Sequence, residues 1–266
     1  WVVTRYEFPG RRLFEWMLLL PAAIPAYIIA YTYTDFLEYA GPVQSMLRDM
    51  FGWRRPADYW FPEIRSLGGA MLVMASVLYP YIYMVTRIAF TLTPASLFEI
   101  AIVHNKSQFW SVGLPLARPA ITAGLALVLM EVVSDFGTVE YFAVETITLG
   151  IFNVWLGMNN IVAAAQISLF GFVFMLSLLG LELYARSRQR YSGGTRKHAG
   201  LTHMVPSTRG QIACIAVCVL PLLTGFVVPV GVLLKLVLAA PIAAQFAPVT
   251  GTIIASVGMA ASAALI

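Results

Sequence analysis

LFEIAIVHNKSQFWSVGLPLARPA, Leu97–Ala120, is a moderately polar insert carrying Glu99, His104, Asn105, Lys106 and Arg118. Apolar runs long enough to cross a bilayer flank it on both sides. The pattern predicts a short amphipathic helix lying on a membrane face, then a turn at Asn105-Lys106-Ser107. Leu114-Pro115 then opens the next span. Asparagine tolerates the left-handed conformation that ends a helix, and proline suits a helix's first turn.

Composition sets the surroundings of that insert. The 266 residues are 59% hydrophobic and 11% charged, against about 25% charged in ordinary soluble domains. Such a chain has too little polar surface to stay dispersed in water, and it reads as an all-α, polytopic membrane helix bundle. No basic patch interleaved with aromatics points to nucleic acid. Cys214 and Cys218, four apart in an apolar run, share a helix face. They could hold a metal or a redox partner, but no histidine or carboxylate lies near them in sequence.

Taken outward from the insert, the chain alternates apolar and polar stretches. Leu13–Tyr33 reads as a span of about 20 residues, enough for about 30 Å of hydrocarbon. Pro21 and Pro25 interrupt it, marking either a kink or ordinary helix packing. Thr34–Ser66 is polar, rich in interfacial aromatics, with a short surface helix expected over Pro42–Phe51. Leu67–Phe90 is the second span and Pro119–Phe136 the third. Gly137–Gly150 is an acidic loop with Glu140 and Glu145. An interfacial piece through Trp155 leads into a turn at Gly157–Asn160, and the fourth span runs from Ile161 to about Tyr184. Glu182 and Arg186 have the spacing of a local ion pair. Residues 186–209 carry six Lys or Arg and no acid, and Gln211–Leu238 and Pro248–Ile266 are two further apolar runs.

Three domains follow: a four-span unit over 1–190, a basic linker over 191–209, and the start of a second transmembrane unit over 210–266. Trp1 opens inside a polar run and Ile266 closes inside an apolar one, so the chain reads as part of a longer polypeptide. Basic residues also give an orientation. Residues 1–12, 87–118 and 186–209 carry 3, 3 and 6 Lys or Arg, whereas 34–66 and 137–150 are balanced or acidic. The positive-inside rule then puts the Glu99 loop and the linker in the cytoplasm, and four spans between Leu13 and Tyr184 give the same parity.

Glu131 and Asp135, four apart in the third span, are the notable ionisable groups at membrane depth. Such groups are costly and tend to face a cavity or a partner. Either they lie with Glu140 along a polar or cationic path, or they are hydrogen-bonded to neighbouring helices. An intramembrane enzyme would need a catalytic set in the spans. Instead the three histidines lie outside them, and neither HExxH nor GxSxG occurs. A plain membrane anchor would explain the spans but not the Glu99 insert.

Glu99-Ile100-Ala101, Asn105 and Gly113-Leu114-Pro115 resemble the EAA loop of bacterial ABC importer permeases, with Ile100 for alanine, Asn105 for glycine and a shorter spacer. Thr4–Arg12, Leu18–Tyr33 and Ser134–Phe142 (SDFGTVEYF) resemble the permease of ferric-iron ABC importers, in which two halves are commonly fused. The resemblance implies a type I ABC importer permease in the bacterial inner membrane. Its partners would be a cytoplasmic ABC ATPase dimer, a periplasmic substrate-binding protein and a second permease half. It would not itself be an enzyme. With no GxxxxGK[ST] in the chain, ATP would be bound by the partner, and no cofactor is expected here. Glu99, Ala101, Asn105, Gly113, Leu114 and Pro115 would form the ATPase-coupling loop, with Ala101 allowing close approach and Glu99 bonding a basic group on the ATPase. Glu131, Asp135 and Glu140 suit a hard cation, and also suit thiamine or a polyamine. The SDFGTVEYF likeness favours iron.

Overall fold

The computed structural model describes residues 1–187, 203–239 and 246–265. They form a helical bundle, and among them the only β-pairing is an isolated bridge between Tyr6 and Met204. The Glu182–Arg186 pair and most of the basic 186–209 linker fall outside the described side chains.

Among the described residues, four helical segments are long and apolar enough to cross a membrane: Leu67–Leu92, Phe109–Ser134, Ile161–Gly180 and Thr208–Ala239. A bent pair makes five if counted as one span. That pair corrects the first expected span. After a short α1 (Val2–Arg5), the stretch Leu13–Tyr33 is not one helix but most of α2 (Arg11–Met17), a 3₁₀ turn at Leu20–Ala23, and then α3 (Ala26–Leu37). The direction changes by 91° between Arg11–Ala23 and Ala26–Phe51. The cause is local: Pro25 forces Ile24 into an extended conformation (φ −107°, ψ 122°), which no helix can continue through.

Residues 34–66 hold α4 (Pro42–Phe51), which has the bounds expected from sequence, with Pro42 in its first turn and Gly52 left-handed at its end. Arg48 donates to the Tyr39 carbonyl at 2.7 Å, and Tyr59 donates to Gln44 at 2.6 Å. Phe51, Trp53 and Tyr59 stack with centroids 4.7 Å apart. Asp58 accepts from the backbone N–H groups of Arg54 and Arg55, which holds its carboxyl below the usual range.

α5 (Leu67–Leu92) begins where Ser66 accepts from the Gly69 N–H at 3.2 Å. α6 (Ala95–Val103) follows, then a π-turn over Phe109–Gly113 that runs straight into α7 (Leu114–Ser134). α7 thus opens at Leu114-Pro115, as the insert predicts, and the π-turn carries the third span back to Phe109, about ten residues before Pro119. Pro115 lies in the first turn after the wide π-turn, so its missing N–H is absorbed there rather than ending the helix.

Beyond α7 come α8 (Gly137–Tyr141) and α9 (Ile147–Phe152) with a π-turn to Gly157. Asn159 is left-handed (φ 49°), and α10 (Ile161–Ser187) then opens with the Asn160 side chain accepting from the Ala163 N–H. α11 (Thr208–Leu222) and α12 (Val228–Ala239) are joined by a third π-turn, and α13 (Phe246–Leu265) is exposed over 251–263.

The main core gathers Ile29 and Tyr33 of α3, Val73 and Val77 of α5, and Val139 and Phe142 in and at the end of the short helix Gly137–Tyr141. The 208–239 segment packs into this bundle. The Tyr33 hydroxyl donates to the Thr224 carbonyl at 2.6 Å. Pro80 inside α5 has no N–H to give the Ser76 carbonyl. Gly225 approaches that carbonyl so closely that a Cβ on it would lie 2.2 Å from the Ser76 oxygen and 2.8 Å from Pro21. Only hydrogen fits there. Gly225→Val should therefore destabilise the bundle by about 1–3 kcal/mol, the usual cost of overpacking. Thermal unfolding in detergent micelles checks this, with Gly231→Val, which meets open space, as the neutral control.

Candidate functional site

α6 is the short helix that the insert sequence predicts, and it leans on the chain by one face. Phe98 and Ala101 are 1% and 4% exposed, whereas Glu99 is exposed together with Ile100, Ile102 and Val103. This reverses the expectation for Ala101. Its small side chain lets α6 settle onto its own protein and does not face outward.

The helix ends in a two-bond Schellman closure. The Asn105 N–H donates to the Ile102 carbonyl at 2.9 Å and the Lys106 N–H to the Ala101 carbonyl at 2.8 Å, with Asn105 at φ 51°. His104 Nδ1 lies 2.9 Å from the Ile100 carbonyl. Gly113 is also explained by packing, because a Cβ there would fall 2.6 Å from the Trp1 ring. Leu114 and Pro115 are the first residues of α7.

The carboxylates of α7 sit at its other end. Glu131 and Asp135 both line a cavity of about 240 Å³, walled by the Pro25 break, Tyr27 and the middle of α5 up to Tyr81. Among the described residues no lysine or arginine lines it. Asp135 also has a structural task. Its carboxylate accepts from the Thr138 N–H at 2.9 Å, the Val139 N–H at 3.3 Å and the Thr138 hydroxyl at 3.1 Å, so it caps α8. SDFGTVEYF is thus a folded unit: Asp135 as cap, Thr138 and Phe142 fully buried, and Ala143 left-handed behind them. Glu140 is exposed and outside this cavity.

Among the described residues no three His, Cys, Asp or Glu gather as a metal site. Cys214 and Cys218 are buried free thiols packed with Val3, Phe8 and Leu18.

Sequence reasoning passed over Glu15, Arg5 and Gln108. Glu15 pairs with Arg11 and with Arg87, both at 2.7 Å, linking α2 to the cytoplasm-facing end expected for α5. The spacing Glu7, Arg11, Glu15 was the available signal.

Apolar spans, a half-docked polar loop and a carboxylate-lined cavity define a multi-pass membrane protein built around a helical bundle. No protein-family model matches the chain. It is homologous to transport-system permease proteins. One is the Fe(3+)-transport system permease protein FbpB 2 of Haemophilus influenzae, 24% identical over 192 residues, which are 71% of this chain and 33% of that protein. Another is the molybdenum transport system permease protein ModB of Escherichia coli, 26% identical over 201 residues, 71% of this chain and 84% of the relative. A probable sulfate transport system permease protein, cysT, of Nephroselmis olivacea is 28% identical over 142 residues, 52% of this chain and 47% of the relative. The chain thus spans about a third of the iron-transport relative.

The left-handed backbone at Asn105 makes its identity testable. Asn105→Gly should leave thermal stability within about 0.5 kcal/mol of the parent, while Asn105→Val should cost about 1–2 kcal/mol. Unfolding midpoints of the two variants in one detergent compare them directly.

Proposed function

We propose that the chain is a permease subunit of an ATP-driven ABC importer, passing ferric iron from a periplasmic binding protein to the cytoplasm. The observation that carries the reading is α6. A nine-residue helix held between two spans by Phe98 and Ala101 presents Glu99, Ile100, Ile102 and Val103 outward. An exposed apolar strip around one carboxylate suits a protein groove that offers a basic partner. In this reading a dimeric cytoplasmic ATPase grips α6 and burns the ATP, and this chain performs no hydrolysis. The positive-inside pattern supports a cytoplasmic α6. The second permease half belongs to the same assembly, as a fused or separate chain.

The cation assignment rests on the cavity. Two carboxylates and, among the described residues, no basic group repel an oxyanion such as molybdate or sulfate, and the carboxylates offer oxygen to a hard cation. One relative is an iron-transport permease and others are molybdenum and sulfate transport permeases, so the choice of iron stands on the cavity. Iron is cargo here, passed along weak oxygen contacts rather than held by a closed ligand set.

Glu99→Lys should abolish uptake and the coupling of ATP hydrolysis while the protein still reaches the membrane. Uptake at the parental rate in that variant counts against the dock. So does modification of a cysteine at Val103 from the periplasmic side of intact cells. For the cargo, Glu131→Gln should cut ferric-iron uptake by about tenfold, the loss of roughly 1.4 kcal/mol of favourable interaction along the path. Binding-protein-dependent uptake of radioactive iron into proteoliposomes measures it. An unchanged rate removes Glu131 from the path.

A further inference from the structure

Residues 1–8 touch three parts of the molecule at once. The Trp1 ring meets Phe90 at the end of α5 (5.3 Å between centroids), Phe98 of α6 (5.7 Å) and Phe109 of the π-turn before α7 (5.3 Å). Gly113 is the residue whose missing Cβ makes room for that ring. Arg5, 5% exposed, donates from Nε to Gln108 Oε1 at 2.9 Å, and its guanidinium lies 4.8 Å from the Phe98 centroid. Burial lowers its pKa from the ordinary arginine value, and the charges of Tyr6 and Glu99 oppose that.

The backbone of the same segment faces the other way. The Met204 N–H donates to the Arg5 carbonyl and the Glu7 N–H to the Met204 carbonyl, each at 2.9 Å. Val3 and Phe8 then pack with Cys214 and Cys218 of α11. Arg11 closes the strap on itself, donating to the Val3 carbonyl at 3.1 Å and pairing with Glu7 at 3.0 Å.

We propose that residues 1–8 form a strap that makes the α6 loop and the start of α11 move as one body, with Arg5 as the positioning residue. The proposal rests on the reading of α6 as the ATPase dock for its use, though not for its geometry. A buried guanidinium is costly unless its donors are satisfied, so Arg5 holds the loop in the one arrangement that supplies Gln108 and the Phe98 face. Arg5 thus ties the loop through its side chain and the backbone of residue 204 through its own carbonyl, beside the Trp1 ring packed on Phe98 and Phe109. A dock held this way passes displacement to α11 as well as to α5 and α7.

The test uses the full chain with its cognate ATPase in lipid nanodiscs, spin-labelled at cysteines replacing the exposed Leu97 and Ile212, with the buried Cys214 and Cys218 left in place. The expected result is one narrow 97–212 distance, the same without nucleotide and with ATP and vanadate. It should broaden in Arg5→Ala and in Gln108→Ala and narrow again in Arg5→Lys, which restores the charge and a donor. A parental distance that shifts between the two states overturns the strap. So does a distribution left unchanged by Arg5→Ala or Gln108→Ala, or one that Arg5→Lys fails to restore. Should Arg5→Ala fail to insert, Gln108→Ala, which removes the same bond from the loop side, decides. The dock is read separately, by cross-linking a cysteine at Ile100 to the ATPase. Absent cross-links with an intact, Arg5-dependent distance remove the dock and keep the strap.

Discussion

Inside a bilayer no water is at hand for a stray backbone group, so each N–H and C=O must find its partner within the protein. Prolines at 21, 25, 80, 115, 119, 221 and 229 each delete a donor from an otherwise helical apolar stretch. The architecture follows from how these deletions are met. At Pro21 and Pro25 the helix gives up and turns. Before Pro115 and Pro229 the chain widens into a π-turn and then continues. At Pro80 the helix runs on and the Ser76 carbonyl is closely approached by Gly225 from a distant part of the sequence. One chemical deficit thus yields a break, two wide turns and a tertiary contact, and which of these occurs depends on what is packed nearby.

That dependence explains what the sequence could and could not reveal. Elements bounded by local chemistry were legible. Pro42 and Gly52 frame α4, Ser66 starts α5, and Gly157–Asn160 separates α9 from α10. Asn105 was readable as a turn because few residues adopt a positive φ cheaply. The break at Pro25 was only a candidate kink, because a proline in a membrane helix is as compatible with a continuous span. The π-turn that extends the third span back to Phe109 was hidden for the opposite reason, since Leu114-Pro115 and Pro119 look like a beginning yet follow residues that are already helical. Ala101 could not be oriented from its neighbours, because α6 is apolar on both faces and only Phe98 tells which one is buried. Arg5 and Gln108 are 103 residues apart, and no pattern along the chain joins them.

The polar groups divide by purpose in a way that composition does not show. Glu7, Arg11, Glu15 and Arg87 neutralise one another around α2 and α5, so they behave as structure. Asp135 is half structural, since three donors of the α8 turn converge on it, yet it still faces the cavity. Glu131 has no such donor among the described residues and lines the same space. A carboxylate left exposed to a cavity carries a solvation cost that packing does not offset, which is why the proposed path runs past Glu131.

The loop and the cavity are connected by two continuous helices, and this is where the fold becomes a mechanism. α5 passes Met74 to Tyr81 along the cavity wall and ends at Leu92, just before α6. α7 begins at Leu114, just after α6, and reaches the cavity at Glu131. At 1.5 Å per residue these are levers of roughly 16 Å and 25 Å. Both are pinned at the α6 end, by Trp1 against Phe90 and Phe109, and their far ends flank a chain break that has already given up helical continuity at Pro25. Rigid rods meeting a broken helix concentrate deformation at the break. In the proposed reading, a push on α6 would open or close the space beside Glu131 and Asp135 without unfolding any span, which is what a gate moved from outside the membrane requires.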